Sequence, residues 1–194
     1  MSPDTAARPY HHGDLAAALR RAAREILETE GLEALSLRSV ARKAGVSHAA
    51  PYRHFESREV LLAHLAIEGF AELKADLVKA ASIPGEIPDR IGLIGAAYAR
   101  FAARQGALLR LMFGPDFPNR AQMPELKAAT EAIGQEIGAA LANPALGLAV
   151  WGAVHGITIL ALDDIIDLGQ RQGGMSVLPS RTEILLRSLF SEPL

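Results

Sequence analysis

Basic, hydroxyl and imidazole side chains are concentrated between residues 36 and 58 of this chain, in SLRSVARKAGVSHAAPYRHFESR. This segment holds five Lys or Arg residues against one Glu and so carries +4, whereas the complete chain has a formal net charge of −2. Lys and Arg side chains bind phosphate oxygens, and polar side chains on a helix can reach base edges in a groove. The segment therefore predicts an interface with nucleic acid.

Two short helices joined by a tight turn are expected to position these side chains. Ser36 is a good N-cap, Gly45 can end the first helix with a positive φ, and Ser47 can cap the second helix. Apolar residues recur at helical spacing in the first helix, at Leu37, Val40, Ala41 and Ala44. In the second helix, Pro51 and Phe55 are four residues apart and should face inward together. This pattern is typical of a helix-turn-helix, whose second helix enters the major groove of DNA.

The stretch LSLRSVARKAGVSHAAPYRHFESREVLL resembles the amino-terminal signature of the TetR family of bacterial transcriptional regulators, and the resemblance covers residues 10–65. Trp151, His155 and Gly156 are similar to the subgroup with a WHG-type effector domain. The resemblance implies a homodimer that binds a double-stranded, palindromic DNA operator, most often as a repressor. It also implies a carboxyl-terminal domain that binds a small-molecule effector, which releases the DNA.

The resemblance further implies which residues meet DNA. Ser36 and Ser47 match positions that contact the DNA backbone, Arg38 a position that reaches a base, and Arg58 a basic residue aimed at a phosphate. The recognition helix supplies the other candidates, and an outward Tyr52 hydroxyl near a phosphate is favoured over a core role. The complete predicted set is Ser36, Arg38, Ser47, His48, Ala49, Ala50, Tyr52, Arg53, His54 and Arg58.

The rest of the chain predicts an all-α fold, with a three-helix helix-turn-helix head joined to a helical domain for ligand binding and dimerisation. Ala, Leu, Glu and Arg are abundant, aromatic residues make up 5%, and there is little alternation of period two. We expect a DNA-binding domain over residues 1–60, a connecting helix over 61–82 and an effector domain over 83–194. The boundary is placed at IPGEIPD, residues 83–89.

Helices are predicted over residues 15–30, 58–80, 90–104, 107–113, 124–141, 144–169 and 181–190, in addition to the helix-turn-helix. The first residues, up to Gly13, read as a polar arm with Asp14 as a helix cap. An apolar core for a signal peptide is missing there, and the chain has no cysteine, which together favour the cytoplasm. Adjacent His11 and His12 lack further ligands nearby, so a tail or capping role is favoured over a metal site.

An effector pocket needs an apolar lining with a few polar groups. Most aromatic residues of the carboxyl-terminal domain fall on helices that can surround one cavity, although each of them fits an ordinary core equally well. The predicted set is Tyr98, Phe101, Arg104, Leu108, Met112, Phe113, Phe117, Trp151 and His155.

Between Glu136 and Asp163 the chain has no Asp, Glu, Lys or Arg, which is long enough to span a bilayer. Asn143 and Pro144 divide the stretch, and its glycines favour close packing against another helix over a membrane span. We therefore expect a subunit interface in which residues 144–169 and 181–190 of each chain form a four-helix arrangement. The predicted interface residues are Gly152, Gly156, Leu160, Leu185 and Leu189. A buried core helix without a role in dimerisation is the alternative.

One alternative function comes from DDIID, residues 163–167, which resembles the aspartate-rich motif that binds Mg²⁺ and diphosphate in isoprenoid synthases. On that interpretation the chain is an all-α enzyme or carrier for a prenyl diphosphate or another lipophilic ligand. Because a second acidic motif is missing from the sequence, a polar helix end is favoured over a site for Mg²⁺ and diphosphate. GxSxG, GxGxxG and GxxxxGK[ST] motifs are also missing, so no catalytic residue, metal site or cofactor is predicted.

Overall fold

The computed structural model describes residues 15–117 and 119–191. In these residues all regular structure is helical, as the sequence predicts. The α-helices are α1 Leu15–Thr29, α2 Leu37–Lys43, α3 Arg58–Ala81, α4 Ile87–Arg104, α5 Gly106–Phe113, α6 Pro124–Ala140, α7 Pro144–Leu162, α8 Gln170–Gly173 and α9 Leu178–Leu189. Short 3-10 helices occupy Pro51–Arg53, Arg120–Gln122 and Met175–Val177. The predicted polar arm, with His11, His12 and Asp14, lies outside the described residues.

The chain divides into two compact units between Leu65 and Ala66, within α3. In the first unit, α1 buries one face at Ala18, Leu19, Ala22, Ala23, Ile26 and Leu27. Leu37, Val40 and Ala41 of α2 and the beginning of α3 complete this core. Periodic burial of this kind is what stabilises such short helices, because helices this short are marginal on their own. The predicted bounds 1–60, 61–82 and 83–194 stay a prediction.

In the second unit, α4 packs along α9, and α6 packs along α7. Glycines allow both approaches. A Cβ on Gly95 of α4 would overlap the side chain of Leu186, and a Cβ on Gly147 of α7 would lie 2.5 Å from the Cα of Gly138. The sequence placed Gly147 among the glycines of α7 that favour close helix packing, together with Gly152 and Gly156, but it did not indicate Gly138 of α6.

The prediction that one helix continues from residue 144 to 169 is wrong, because α7 ends at Leu162. Asp164 adopts a φ of +54°, and the N–H groups of Ile165 and Asp164 donate to the carbonyls of Leu160 and Ala161. These two bonds form a Schellman motif with Asp in the left-handed position, which Asp tolerates better than most residues. The short helix α8 follows, where the sequence indicated only a separating loop.

Candidate nucleic-acid interface and effector site

The first helix of the predicted helix-turn-helix is α2, and both of its ends are capped as the residue types suggest. The Ser36 hydroxyl accepts from the Ser39 N–H at 3.0 Å, and the Ser39 hydroxyl accepts from the Ser36 N–H at 2.9 Å. This reciprocal capping box holds the first turn. At the other end Gly45 has a φ of +69°. The N–H groups of Val46 and Gly45 bond to the carbonyls of Ala41 and Arg42, which completes a Schellman motif.

The predicted recognition helix is shorter and tighter than expected. It consists of turns over residues 48–50 and the 3-10 helix Pro51–Arg53, with hydrogen bonds from Ala50 N–H to Ser47 carbonyl and from Arg53 N–H to Ala50 carbonyl. The missing N–H of Pro51 prevents a regular α-helical ladder through this point. The prediction that the Ser47 side chain caps this helix is wrong, because the N-cap position is Ala50 and no side chain bonds there.

The inward and outward positions of this segment are as predicted. Pro51 and Phe55 are buried, with Phe55 only 2% exposed, and the Phe55 ring meets His64 at 5.4 Å between centroids. The Tyr52 side chain is 54% exposed, which agrees with an outward hydroxyl. The exposed predicted DNA contacts are Arg38, Ser47, His48, Ala49, Tyr52, Arg53 and His54, while Ser36 and Ala50 are partly buried. A small basic and hydroxyl-bearing surface therefore surrounds a rigid turn.

Arg58 does not point outward at a phosphate, which corrects the role implied by the resemblance. Its Nε donates to the Leu35 carbonyl at 2.7 Å, and its Nη2 donates to the Leu32 carbonyl at 2.9 Å. These carbonyls belong to the segment between α1 and α2, immediately before the N-cap Ser36. The guanidinium therefore ties the beginning of α3 to the entry of α2 and supports the interface from behind.

We expect Arg58→Ala to lower the free energy of unfolding by about 2 kcal/mol, since hydrogen bonds from charged groups contribute about 1.5–3 kcal/mol each and this guanidinium is only partly buried. Urea unfolding followed by circular dichroism measures the change. Arg53→Ala is the matched control, because it removes an exposed arginine and should change stability by less than about 0.5 kcal/mol. Equal stability of the two variants would contradict the structural role.

Five aromatic rings meet inside the second unit. Phe113 is central, with its ring centroid 4.5 Å from that of His155, 5.1 Å from that of Phe70 and 6.1 Å from that of Trp151. The Tyr98 hydroxyl is hydrogen-bonded to His155 Nδ1 at 2.8 Å. The sequence predicted four of these residues as effector-pocket candidates and missed Phe70, which lies on α3 and gave only a core signal.

Two polar groups in this aromatic cluster of Phe70, Tyr98, Phe113, Trp151 and His155 are distinctive. Burial raises the pKa of the Tyr98 hydroxyl well above its usual range, and the Trp151 indole opposes this rise only in part. The Trp151 Nε1 is buried, and among the described residues it has no well-directed hydrogen-bond partner. An apolar cluster with a Tyr hydroxyl, an imidazole and an indole N–H has the groups that suit a ligand with one or two acceptor groups.

Burial also lowers the pKa of His155 below its ordinary 6.5. A histidine with a lowered pKa in the folded state stabilises the fold above the unfolded-state pKa, and the contribution is lost as the pH falls toward the folded-state pKa. We therefore expect the free energy of unfolding to decrease as the pH falls from about 7 into the acid range, with a smaller decrease in His155→Gln. Urea unfolding of the wild-type chain and of His155→Gln across this pH range tests the prediction, and parallel pH profiles for the two would contradict it.

The remaining predicted pocket residues divide between core and surface. Phe101, Leu108, Met112 and Phe117 are buried. Arg104 lies away from the rings in an exposed ion pair, with its Nη2 2.8 Å from Asp76 Oδ2, and so it does not join the aromatic cluster. Arg120, which the sequence did not single out, lies over the Phe117 ring at 5.2 Å and donates to the Met112 carbonyl. Its pKa is lowered by burial.

An apolar surface covers the outward sides of α7 and α9. Leu148 and Ile184 are 64% and 61% exposed, and they accompany the predicted interface residues Leu160, Leu185 and Leu189, which are also exposed. A Cβ on Gly152 or Gly156 would meet nothing within 4 Å in the described chain. Helix α7 is apolar and long enough to cross a membrane, with a mean hydropathy of 1.9, but length and composition alone are weak support for that.

The aspartates of residues 163–167 make contacts within the chain. Asp163 forms an ion pair with Arg110 at 2.7 Å, and Asp167 accepts from the Gly169 N–H at 2.8 Å. Among the described residues no group of three or more His, Cys, Asp or Glu side chains is arranged to hold a metal ion. These contacts agree with a polar segment that ends α7.

Comparisons with known proteins add to this geometry. Residues 19–65 match the family model described as bacterial regulatory proteins, tetR family. The chain is 31% identical over 129 residues to the HTH-type transcriptional regulator Rv1816 of Mycobacterium tuberculosis, a match that covers 64% of this chain and 54% of the relative. The chain thus spans about half the length of the curated relatives it matches. No enzyme family is indicated by these matches.

Solved structures share the whole fold. A Rhodococcus sp. RHA1 protein described as having unknown function is 29% identical, with a TM-score of 0.71 and coverage of 96% of this chain and all of the other. The transcriptional regulator FadR of Bacillus subtilis, solved in complex with stearoyl-CoA, is 14% identical, with a TM-score of 0.68 and coverage of 89% of this chain and 97% of the other. At that identity, the second likeness is one of fold alone.

Proposed function

From its membership of the tetR family of bacterial regulatory proteins, we propose that this chain is a cytoplasmic repressor that binds a palindromic DNA operator as a homodimer and is released by a small-molecule effector. The observation that carries the proposal is the exposure of most of the side chains predicted to contact DNA, on a turn that has Pro51 and Phe55 buried behind it. Binding energy would come mainly from phosphates, and specificity from a few groove contacts.

Arg38 and His48 are the polar side chains we assign to base recognition. Both are exposed, and Arg bonds well to guanine in the major groove. Ala49 and Ala50 offer only methyl groups, which suit contact with the thymine methyl. Tyr52 and Ser47 would contact phosphates. Ser36 would contact the DNA backbone at the N-terminus of α2, where it is partly buried and its hydroxyl already caps the helix.

The exposed apolar surface of α7 and α9 supports the homodimer. Soluble proteins rarely expose large contiguous apolar surfaces, and a twofold axis across two helices would pair this surface with its own copy. Two heads held one helical turn apart could then enter successive major grooves.

The aromatic cluster supports the effector site. An effector that binds a form of the dimer with differently spaced heads would shift the population away from the DNA-binding form. The buried Trp151 Nε1 and the Tyr98–His155 pair would select a ligand with hydrogen-bond acceptors in an apolar frame.

Selection of bound duplexes from random DNA, followed by equilibrium binding at several salt concentrations, tests the proposal. We expect a palindrome with half-sites about one helical turn apart and an affinity that falls as salt rises. Recovery of no enriched sequence by the purified full chain would contradict it. Expression of a reporter behind the selected site then distinguishes a repressor from an activator.

A further inference from the structure

A cleft of about 560 Å³ lies between α4, the 3-10 helix Met175–Val177 and the beginning of α9. It is separate from the aromatic cluster, and its size is within the range of about 300–1,000 Å³ that is usual for small-molecule sites. Four of its lining residues are apolar, namely Ala96, Ala103, Met175 and Pro179. The cleft therefore offers a hydrophobic surface next to charged groups.

One cation in the cleft is uncompensated. Arg104 is paired with Asp76, and Glu183 is 3.5 Å from Arg187. Arg100 lines the cleft one turn before Arg104 on α4, is exposed, and makes no ion pair with any residue in 15–117 or 119–191. Arg100 also lines, together with Arg104, a second cleft of about 360 Å³ between α3 and α4, so its side chain borders both clefts.

The hydroxyl groups of the cleft are already used as donors. Ser176 donates to the Gly173 carbonyl at 2.9 Å, and Ser180 donates to the Val177 carbonyl at 3.0 Å. Of the described lining groups, Arg100 is thus the cation whose charge no carboxylate in this part of the chain balances. A planar guanidinium binds a carboxylate through two parallel hydrogen bonds.

We propose that this cleft is a second ligand site, which binds an amphipathic monocarboxylate with its carboxylate on Arg100 and its apolar body against Ala96, Ala103, Met175 and Pro179. The site does not depend on DNA binding or on the effector site. The cleft borders α9 at Ser180 and Glu183. The proposed dimer surface uses other residues of that helix, the exposed Ile184, Leu185 and Leu189.

Isothermal titration of the full chain with sodium octanoate tests the site, with octan-1-ol as the uncharged counterpart. We expect saturable binding of octanoate at one site per chain and binding of octanol at least about tenfold weaker, since the ionic hydrogen bonds are lost. Arg100→Gln should weaken octanoate binding by about tenfold or more. Lys127→Gln, which removes an exposed cation of α6 away from both clefts, should leave the affinity within about twofold.

Ser180→Trp, at the exposed rim of the cleft, should block octanoate binding by occupying its volume. Thermal melts establish that each variant is folded, and Arg100→Gln alone decides the question if Ser180→Trp does not fold. Octanoate binding that is absent from the wild-type chain, unchanged in Arg100→Gln or matched by octanol would overturn the proposal. DNA binding is measured separately, so its failure would leave this inference standing.

Discussion

Replacing Gly156 with Asp should convert the dimer to monomers or aggregates and remove high-affinity operator binding. A Cβ at this position meets nothing within 4 Å in the described chain, so the first side-chain atom of the new residue has open space. In a helix interior, Asp is no worse than Gly. In the proposed interface, however, it would bury an unpaired carboxylate between apolar helices, which costs several kcal/mol.

Sedimentation velocity measures the oligomeric state of this variant, and fluorescence anisotropy measures its DNA binding. Ala128→Asp is the matched control, because Ala128 is exposed on α6, outside the α7 and α9 surface. The control should remain a dimer with unchanged affinity. An undisturbed dimer in Gly156→Asp would contradict the proposed interface on α7 and α9.

Tyr52→Ala should weaken operator binding by about tenfold or more while leaving the dimer intact, since an exposed side chain at the DNA surface contributes both ring packing and a phosphate contact. The 54% exposure of Tyr52 makes a large loss of stability unexpected. Tyr52→Phe separates the two contributions, because it retains the ring and removes only the hydroxyl. Wild-type affinity in Tyr52→Ala, measured by gel shift on the selected operator, would count against the assignment.

The head was largely predictable because its signals are local. Ser36 as an N-cap, Gly45 with positive φ and the inward pair Pro51 and Phe55 each follow from one residue type at one position. The tight 3-10 geometry was not predicted, since spacing alone does not tell a short α-helix from successive turns. The role of Arg58 was also missed, because its carbonyl partners lie 23 and 26 residues away and leave no periodic signal.

The second unit was less predictable because its contacts are between distant helices. Glycine spacing indicated close approach somewhere on α7, but only the structure shows that Gly147 and Gly138 make it while Gly152 and Gly156 remain open. Aromatic content identified four rings of the cluster, but Arg104, which was named with them, pairs instead with Asp76 on α3. Residue type indicates burial well, and it does not indicate the partner.

The central claim is that the exposed side chains of the helix-turn-helix read a DNA sequence, and the double variant Arg38→Ala with Tyr52→Ala tests it most directly. Its affinity for the selected operator and for an unrelated duplex is measured by fluorescence anisotropy, with circular dichroism and sedimentation as checks on folding and dimerisation. We predict a folded dimer that binds the operator no more tightly than the unrelated duplex. Retention of the wild-type preference for the operator would contradict the account.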